Sequence, residues 1–595
     1  MKNNSKSKAI FIAGLFLGIF GWMQNSSAAS PALNFSDLTS GPKSGLNDGL
    51  GQGAIVTIWG NNLGSSQGTS KVYFKDSNNQ IREAAYIYYW KNADGQLPGG
   101  PSDLYAYHKM QEIAFSIPSN SADGAGKIYV EVDGVKSSEL DFEVRAGHIF
   151  YVNDSGNDSV GNGSYANSWK TLDYNVGATG KVAVSAGDII YCNGLNESGV
   201  VYIREKSGTS TDHISIVGYP GTLCKISNSS GGGIIAYWYN HINTQYWNFS
   251  KISVEATDTG IAAFTGMRVT GCEISDGTGC ATGVGGAISG GNLFDEDSLH
   301  QVDGNIKIYG NYIHNYGCVE TSNQHHVFYL SNRSGEKVDA YEVGWNYLKD
   351  NLAPNGINLW DESSDGIGCG DWNGTFLIHD NIVINQDSSA FDIGSNSGQG
   401  HICWSVPVYV YNNLFVNCGN THMNSGSNYT IFMTGTYTQS HVYFFNNTIY
   451  SYNGLAGIYI DDFNFGGKYD WVNNLVIDGN NLPYYAAGIK LPDVSNNNLW
   501  YNGGDGNPAN LPSWDTNPII SNPLFINPSS NNFALQSNSP AINAGSSLVS
   551  EIVNKDFLSL SRPQGSGYDI GAFEYDENTP ADAVVPNAPS GLSVR

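Results

Sequence analysis

The sequence predicts an all-β chain whose larger part is a right-handed parallel β-helix, with a small β-sandwich ahead of it. Three observations carry this. An apolar run ending in asparagine keeps returning, closing at Asn311, Asn346, Asn381, Asn413, Asn447, Asn474 and, in a fainter copy, Asn498. The steps between these asparagines are 35, 35, 32, 34, 27 and 24 residues, a period that marks stacked repeats. Each repeat also holds a second run: Val327-Phe328-Tyr329, Ile357-Asn358-Leu359, Phe391-Asp392-Ile393, Ile431-Phe432-Met433, Ile458-Tyr459-Ile460 and Ile489-Lys490-Leu491. Its flanks are mostly apolar and its middle varies, the alternation of a strand buried on one side. No helical periodicity is long enough to close βαβ crossovers, so each coil is expected to stack on the last around one core. Asparagine suits the corner because it tolerates left-handed backbone and its amide can bond the amide one coil away.

On these residues the chain resembles the pectate-lyase-like family of right-handed β-helix proteins, and the asparagine column resembles that family's asparagine ladder. The resemblance covers about residues 149–575. Residues 1–29 read as a secretory signal: Lys2, Lys6 and Lys8, an apolar run from Ala9 to Trp22, then Ser27-Ala28-Ala29. The run is short for a membrane span, and no later stretch is apolar enough, so a secreted protein, extracellular or periplasmic, without a membrane span is expected.

Residues 30–146 contain strands at turn-marked intervals, among them Val56 to Gly64, a strand ending in a Gly/Asn turn, Ile113 to Pro118 and Lys127 to Gly134. The Gly60–Gly64 turn and the Val132-Asp133-Gly134 hairpin resemble the IPT/TIG immunoglobulin-fold domain, which implies a spacer or a binding accessory. Residues 147–515 are assigned to the β-helix. Ile149-Phe150-Tyr151-Val152 resembles the first-coil opening of secreted β-helix enzymes. Residues 516–575, with Asn522-Pro523-Leu524-Phe525 and Asp569-Ile570-Gly571-Ala572-Phe573, resemble the closing segment of bacterial secreted β-helix proteins and are expected to cap the last coil. Residues 576–595 read as a linker.

The chain has 72 glycines, only 14% charged residues and a formal net charge of −26. Such acidity argues against nucleic acid as a partner. It also makes an acidic substrate awkward unless cations intervene. The turn-rich, aromatic surface suits sugars, and a monomer acting on a polysaccharide is expected. Coil register makes Cys280 with Cys318 and Cys369 with Cys403 candidate disulfides, with Cys192 and Cys224 a third pair. Cys272 falls in the asparagine column as a buried thiol, and a fully reduced set stays open.

The family resemblance makes the sheet built from the second runs the floor of a substrate groove. Its outward residues are read as His326 and Phe328, then Asn358 and Trp360, then Asp392, then Tyr459 and Asp461, with Tyr329 inward. Asn358, Trp360, Phe328, Lys349 and Tyr459 are assigned to substrate binding, since sugars need flat apolar faces and fixed polar groups. Two reactions fit. β-Elimination at a uronic acid needs a neutralised carboxylate and a base. Asp361, Asp365 and Asp392 could hold a Ca2+ ion for the first task, and His326, Arg333 or Lys349 could take the proton. Hydrolysis needs two carboxyl groups with separated pKa values, for which Asp361 and Asp392 are the pair. The chain lacks the family's Asp-Gly-Phe-Asp calcium loop and Asp-Pro-His-Asp epimerase motif. That absence leaves the reaction open; the dense, asymmetric loops around one sheet favour an enzyme, so a polysaccharide lyase is the first reading, a glycoside hydrolase or epimerase the second, and a non-catalytic glycan binder or adhesin the third. His379 and His441 fall in or near another sheet and are read as structural.

Overall fold

The computed structural model describes residues 30–577, apart from 177–183, 204–205, 237–243, 264–265, 278–284, 293–304, 319–323, 333–340, 362–373, 396–405, 421–427, 436–439, 463–464, 478–481 and 504–510. The secretory segment, the linker from residue 578 on and three cysteines expected in disulfides (Cys280, Cys369, Cys403) lie outside the described residues. The chain is a right-handed parallel β-helix preceded by two antiparallel sheets.

Each regular coil contributes one strand to each of three parallel sheets. The first sheet runs from Ile149–Val152 to Val494–Asn496 and the second from Leu195–Ser198 to Ile519–Ile520, with twelve described strands each. The third runs from Val201–Ile203 to Ala456–Ile460, with nine. One coil shows the rule: Ile306–Tyr309, then Tyr312–His314, then His325–Asn332. Ile308, Ile313, Phe328, Leu330 and their equivalents fill a continuous interior. The last triplet, Ile489-Lys490-Leu491, forms no strand; Ile489 makes only an isolated antiparallel bridge to Asp461.

The asparagine column forms as the repeat predicts. The Asn311 amide nitrogen donates to Asn346 Oδ1 at 2.9 Å, Asn346 to Asn381 at 2.9 Å, and Asn381 to Asn413 at 3.0 Å. Asn413, Asn447, Asn474 and Asn498 continue it. Each side-chain oxygen also accepts the preceding ladder residue's backbone N–H, as at Asn311 N to Asn346 Oδ1, 3.0 Å. Cys272 heads the column, its N–H donating to Asn311 Oδ1. The left-handed backbone falls one residue earlier than expected. Gly310, Trp345, Asp380, Asn412, Asn446 and Asn473 have φ between 52° and 60°, and the ladder asparagines do not. The preceding residue makes the bend, which frees the asparagine to point its amide inward.

The N-terminal sandwich pairs Ala32–Ser36, Ile55–Asn61, Gln111–Ser116 and Tyr86–Asn92 against a sheet built around Gly124–Val132. Its hairpin at Asp133-Gly134 has φ of 48° and 83°, the primed turn that matches strand twist. The sandwich is not a detached spacer. Its core is continuous with Tyr151, Tyr191, Val217 and Tyr219 on the outer face of the first sheet. Lys251 Nζ donates to Thr57 Oγ1 at 2.6 Å, Ser102 Oγ to the Gly310 carbonyl at 2.6 Å, and His108 Nε2 lies 2.7 Å from the Asp380 carbonyl.

The closing segment also departs from expectation. It does not stop at the last coil but packs along the outer face of the second sheet. Phe525, Phe533, Phe557, Ile570 and Phe573 cluster there with Ile382, Leu414, Leu475 and Leu499. The second sheet's outward residues are apolar, so they need this cover. The segment reaches the sandwich as well, where Phe557 stacks on His108 at 4.5 Å. Cys192, Cys224, Cys272 and Cys418 are buried free thiols, so Cys192 and Cys224 do not form a disulfide, whereas Cys318 is disulfide-bonded. No described helix is long and apolar enough to cross a membrane.

Candidate functional site on the third sheet

The sandwich covers the first sheet and the closing segment covers the second, which leaves the outer face of the third sheet. Strand register puts Tyr329, Asn358, Asp392, Phe432 and Tyr459 in one column across five coils. Ser331, Trp360 and Gly394 form the column beside it. The interior partners on either side are Phe328, Ile357, Phe391, Ile431 and Ile458, then Leu330, Leu359, Ile393, Met433 and Ile460.

Phe328 therefore faces the core, not the groove, and Tyr329 takes the outward place. Val327 and Phe328 are both buried in the core, so the alternation slips by one there. His326 stays beside the outward column, its ring 5.0 Å from the Tyr329 ring. Asn358, Trp360, Asp392 and Tyr459 occupy the outward positions read from the sequence. Lys349 does not join them: it lies on the second sheet, in register with His314 and Ile384, its Nζ 3.6 Å from Asp350. Asp361 ends its strand in register with Asn332 and Ser395, and its side chain lies outside the described residues, as do Arg333 and Asp365.

His326 is 6% exposed. Its Nδ1 is 3.0 Å from the Pro354 carbonyl, which only accepts, so Nδ1 carries the hydrogen and Nε2 carries the lone pair. Among the described residues Nε2 makes no hydrogen bond, and the residue as a whole is buried. Burial pushes the imidazole pKa down to about 4, against the pull of the Pro354 carbonyl, so the ring is neutral at physiological pH.

Asp392 is 1% exposed and sealed. Its Oδ2 accepts from Asn355 Nδ2 at 3.0 Å and from Ser389 Oγ at 3.5 Å. Asn355 is held in turn by Ser388 Oγ and Ser389 Oγ at 2.9 and 2.8 Å. Asp392 Oδ1 and Asn358 Oδ1 are both buried acceptors without a donor, on residues directly opposite each other in adjacent strands. A proton retained on Asp392 removes the cost of an unpaired buried charge there. Burial, offset only by the Ser389 hydroxyl, raises the Asp392 pKa well above the ordinary carboxylate range. The sequence assigned Asp392 as a calcium ligand or one of a hydrolytic carboxyl pair; the structure makes it a buried acid in the outward column.

This environment does not fit the expected calcium ligand. Calcium takes six to eight oxygens, preferring ionised carboxylates. Among the described residues no group of three His, Cys, Asp or Glu side chains is placed to hold a metal. No step below runs through calcium.

Above the sealed pair the floor is aromatic. The Trp360 ring lies across the next coil at Gly394, where a Cβ would come within 2.3 Å of Trp360 Cζ3. Only glycine leaves room for the ring to lie there. Phe432 and Tyr459 continue the column, with Tyr429 beside them. Tyr429, Phe432, Asn355 and Ser389 escaped the sequence reading. Phe432 carried a signal, as the middle residue of its triplet, whereas Asn355 and Ser389 sit in corners with no repeat to mark them.

No protein-family model matches the chain, and no curated protein matches it.

Proposed function

We propose that the protein is an exported polysaccharide lyase that cleaves a uronate-containing polymer by β-elimination on the outer face of the third sheet. The observation that carries this is the His326 imidazole: neutral, fixed through Nδ1 on the Pro354 carbonyl, and leaving Nε2 without a described hydrogen bond beside the Tyr329 ring. Nε2 takes the C5 proton of the uronate. The C5–H electrons form the C4=C5 double bond as the C4–O bond breaks, and the leaving oxygen collects a proton. A positioned base of this kind contributes about a hundredfold or more to rate. Arg333 directly follows the strand that carries His326 and is the residue we assign to the substrate carboxylate. Export is supported by the lysine-led apolar segment at residues 1–29.

A second reading, glycoside hydrolysis, draws on the retained Asp392 proton, the property a general acid needs. The seal over Asp392 disfavours it. Incubation with a panel of uronate polysaccharides separates the two. Elimination raises both reducing ends and the ultraviolet absorbance of an unsaturated uronate. Hydrolysis raises reducing ends alone, and a binding protein raises neither.

A further inference from the structure

We propose that the seam between the sandwich and the first coils carries a second glycan-binding site, built by Tyr86 and Tyr165 around a small apolar cavity and separate from the third-sheet face. This goes beyond the reading above and rests on it only for the class of polymer. Tyr86 and Tyr165 are the two exposed aromatic side chains among the described residues, at 38% and 40%. Tyr86 opens the sandwich strand Tyr86–Asn92, and Tyr165 lies in a turn after the first coil strand, Ile149–Val152. Folding brings these distant residues to the two ends of one row of tyrosines. Tyr86 meets Tyr88 at 5.0 Å, Tyr88 meets Tyr219 at 6.0 Å, and Tyr219 meets Tyr165 at 6.2 Å.

The row is not a stack. Tyr86 has one ring contact among the described residues, at 80° to Tyr88, so at least one of its faces carries no ring. Tyr165 meets Tyr151 at 82° and Tyr219 at 47°, and neither pair lies face to face. One carboxylate fixes the two inner tyrosines. Asp48 Oδ2 accepts from the Tyr88 hydroxyl and, at 2.8 Å, from the Tyr219 hydroxyl. Asp48 Oδ1 in turn accepts the Leu50 and Gly51 backbone N–H groups at 2.8 and 3.0 Å. The exposed rings thus sit on a support already ordered before any ligand arrives, which lowers the entropy cost of binding.

A cavity of about 100 Å³ opens beside Tyr219. Leu97 and Pro98 of the sandwich line it from one side, and Pro220 and Leu223 of the β-helix from the other. Leu97 and Leu223 are both exposed. Lys251 lines it with its stem, its Nζ turned away to Thr57 Oγ1 at 2.6 Å. Recesses between domains are where ligands lodge, and exposed apolar side chains gathered around one mark a binding surface. A glycan suits this combination. The ring-to-ring steps are close to the length of one sugar unit, and tyrosine packs against the C–H face of a pyranose while its hydroxyl reaches sugar hydroxyls. The cavity, about three waters in volume, has room for one exocyclic substituent of a sugar ring.

The test is affinity electrophoresis of the full chain in gels containing polygalacturonate, alginate, hyaluronan or glucuronoxylan, with Tyr86→Ala, Tyr165→Ala and Leu223→Asp beside the wild type. At least one polymer should retard the wild type. Each variant should bind that polymer about tenfold more weakly, with unchanged melting because all three side chains are exposed. Retardation by none of the four, or wild-type retardation in all three variants, would overturn the site. So would a wild type that self-associates in sedimentation and becomes monomeric in the variants, which would give the patch to a second copy of the chain. Ultraviolet assay of the same polymers keeps the two claims apart. Variant-sensitive retardation without unsaturated product leaves the site standing and removes the lyase. Unsaturated product with variant-insensitive retardation removes the site and leaves the lyase.

Discussion

Asp392→Asn tests the buried proton. The substitution keeps an oxygen acceptor for Asn355 Nδ2 while the titrating group is removed. The sign follows from burial. The folded pKa is raised above the unfolded value, so the folded state holds a proton that the unfolded state releases. Above the unfolded Asp value, wild-type stability falls by about 1.4 kcal/mol per pH unit until the folded carboxyl ionises. Asp392→Asn removes that slope. Denaturant titrations at about pH 4, 5, 6 and 7 should show the variant gaining on the wild type as pH rises, by about 1.4 kcal/mol per unit at first. Turnover should stay within about threefold, because the sealed oxygen does not meet substrate. A flat difference across pH, joined to a loss of about a hundredfold in turnover, would show that Asp392 is ionised and reacts directly.

Three further outcomes follow from named contacts. Asn381→Ala strips donors or acceptors from Asn346, Val343 and Asn413 inside the core, and should cost about 3 kcal/mol or more in denaturant unfolding. Gly394→Ala pushes the Trp360 ring off the coil; KM should rise about tenfold with kcat little changed, measured on whichever polymer the protein cleaves. The acid limb of kcat/KM should fall with an apparent pKa near 4, not near the ordinary histidine value, because burial depresses the His326 pKa.

The asparagine ladder and the three-sheet coil were legible because each coil repeats the same demand: an apolar interior and a corner whose buried amide must be bonded. Asn358, Trp360, Asp392 and Tyr459 were placed on the right face for the same reason. Phe328 was not, because Val327 and Phe328 both enter the core, and a one-residue slip exchanges faces without changing composition. The state of Asp392 was illegible. An aspartate at an outward position reads as solvated, and its seal depends on neighbours, Asn355 and Ser389, that no repeat marks. Lys349 was assigned to the groove by its place in the chain near a loop, yet its strand belongs to the second sheet. The covers over the first and second sheets depend on contacts between residues hundreds of positions apart, such as Ser559 Oγ with Asn34 Oδ1 at 3.0 Å, which periodicity does not encode.

The most direct measurement is the rate of ultraviolet absorbance gain for His326→Ala beside the wild type, on a uronate polymer at neutral pH. Removing Nε2 should lower that rate by at least about a hundredfold while melting and oligosaccharide binding at the aromatic floor stay close to wild type. A variant that generates unsaturated product at the wild-type rate would contradict the assignment of the base and of the third-sheet face as the site of cleavage.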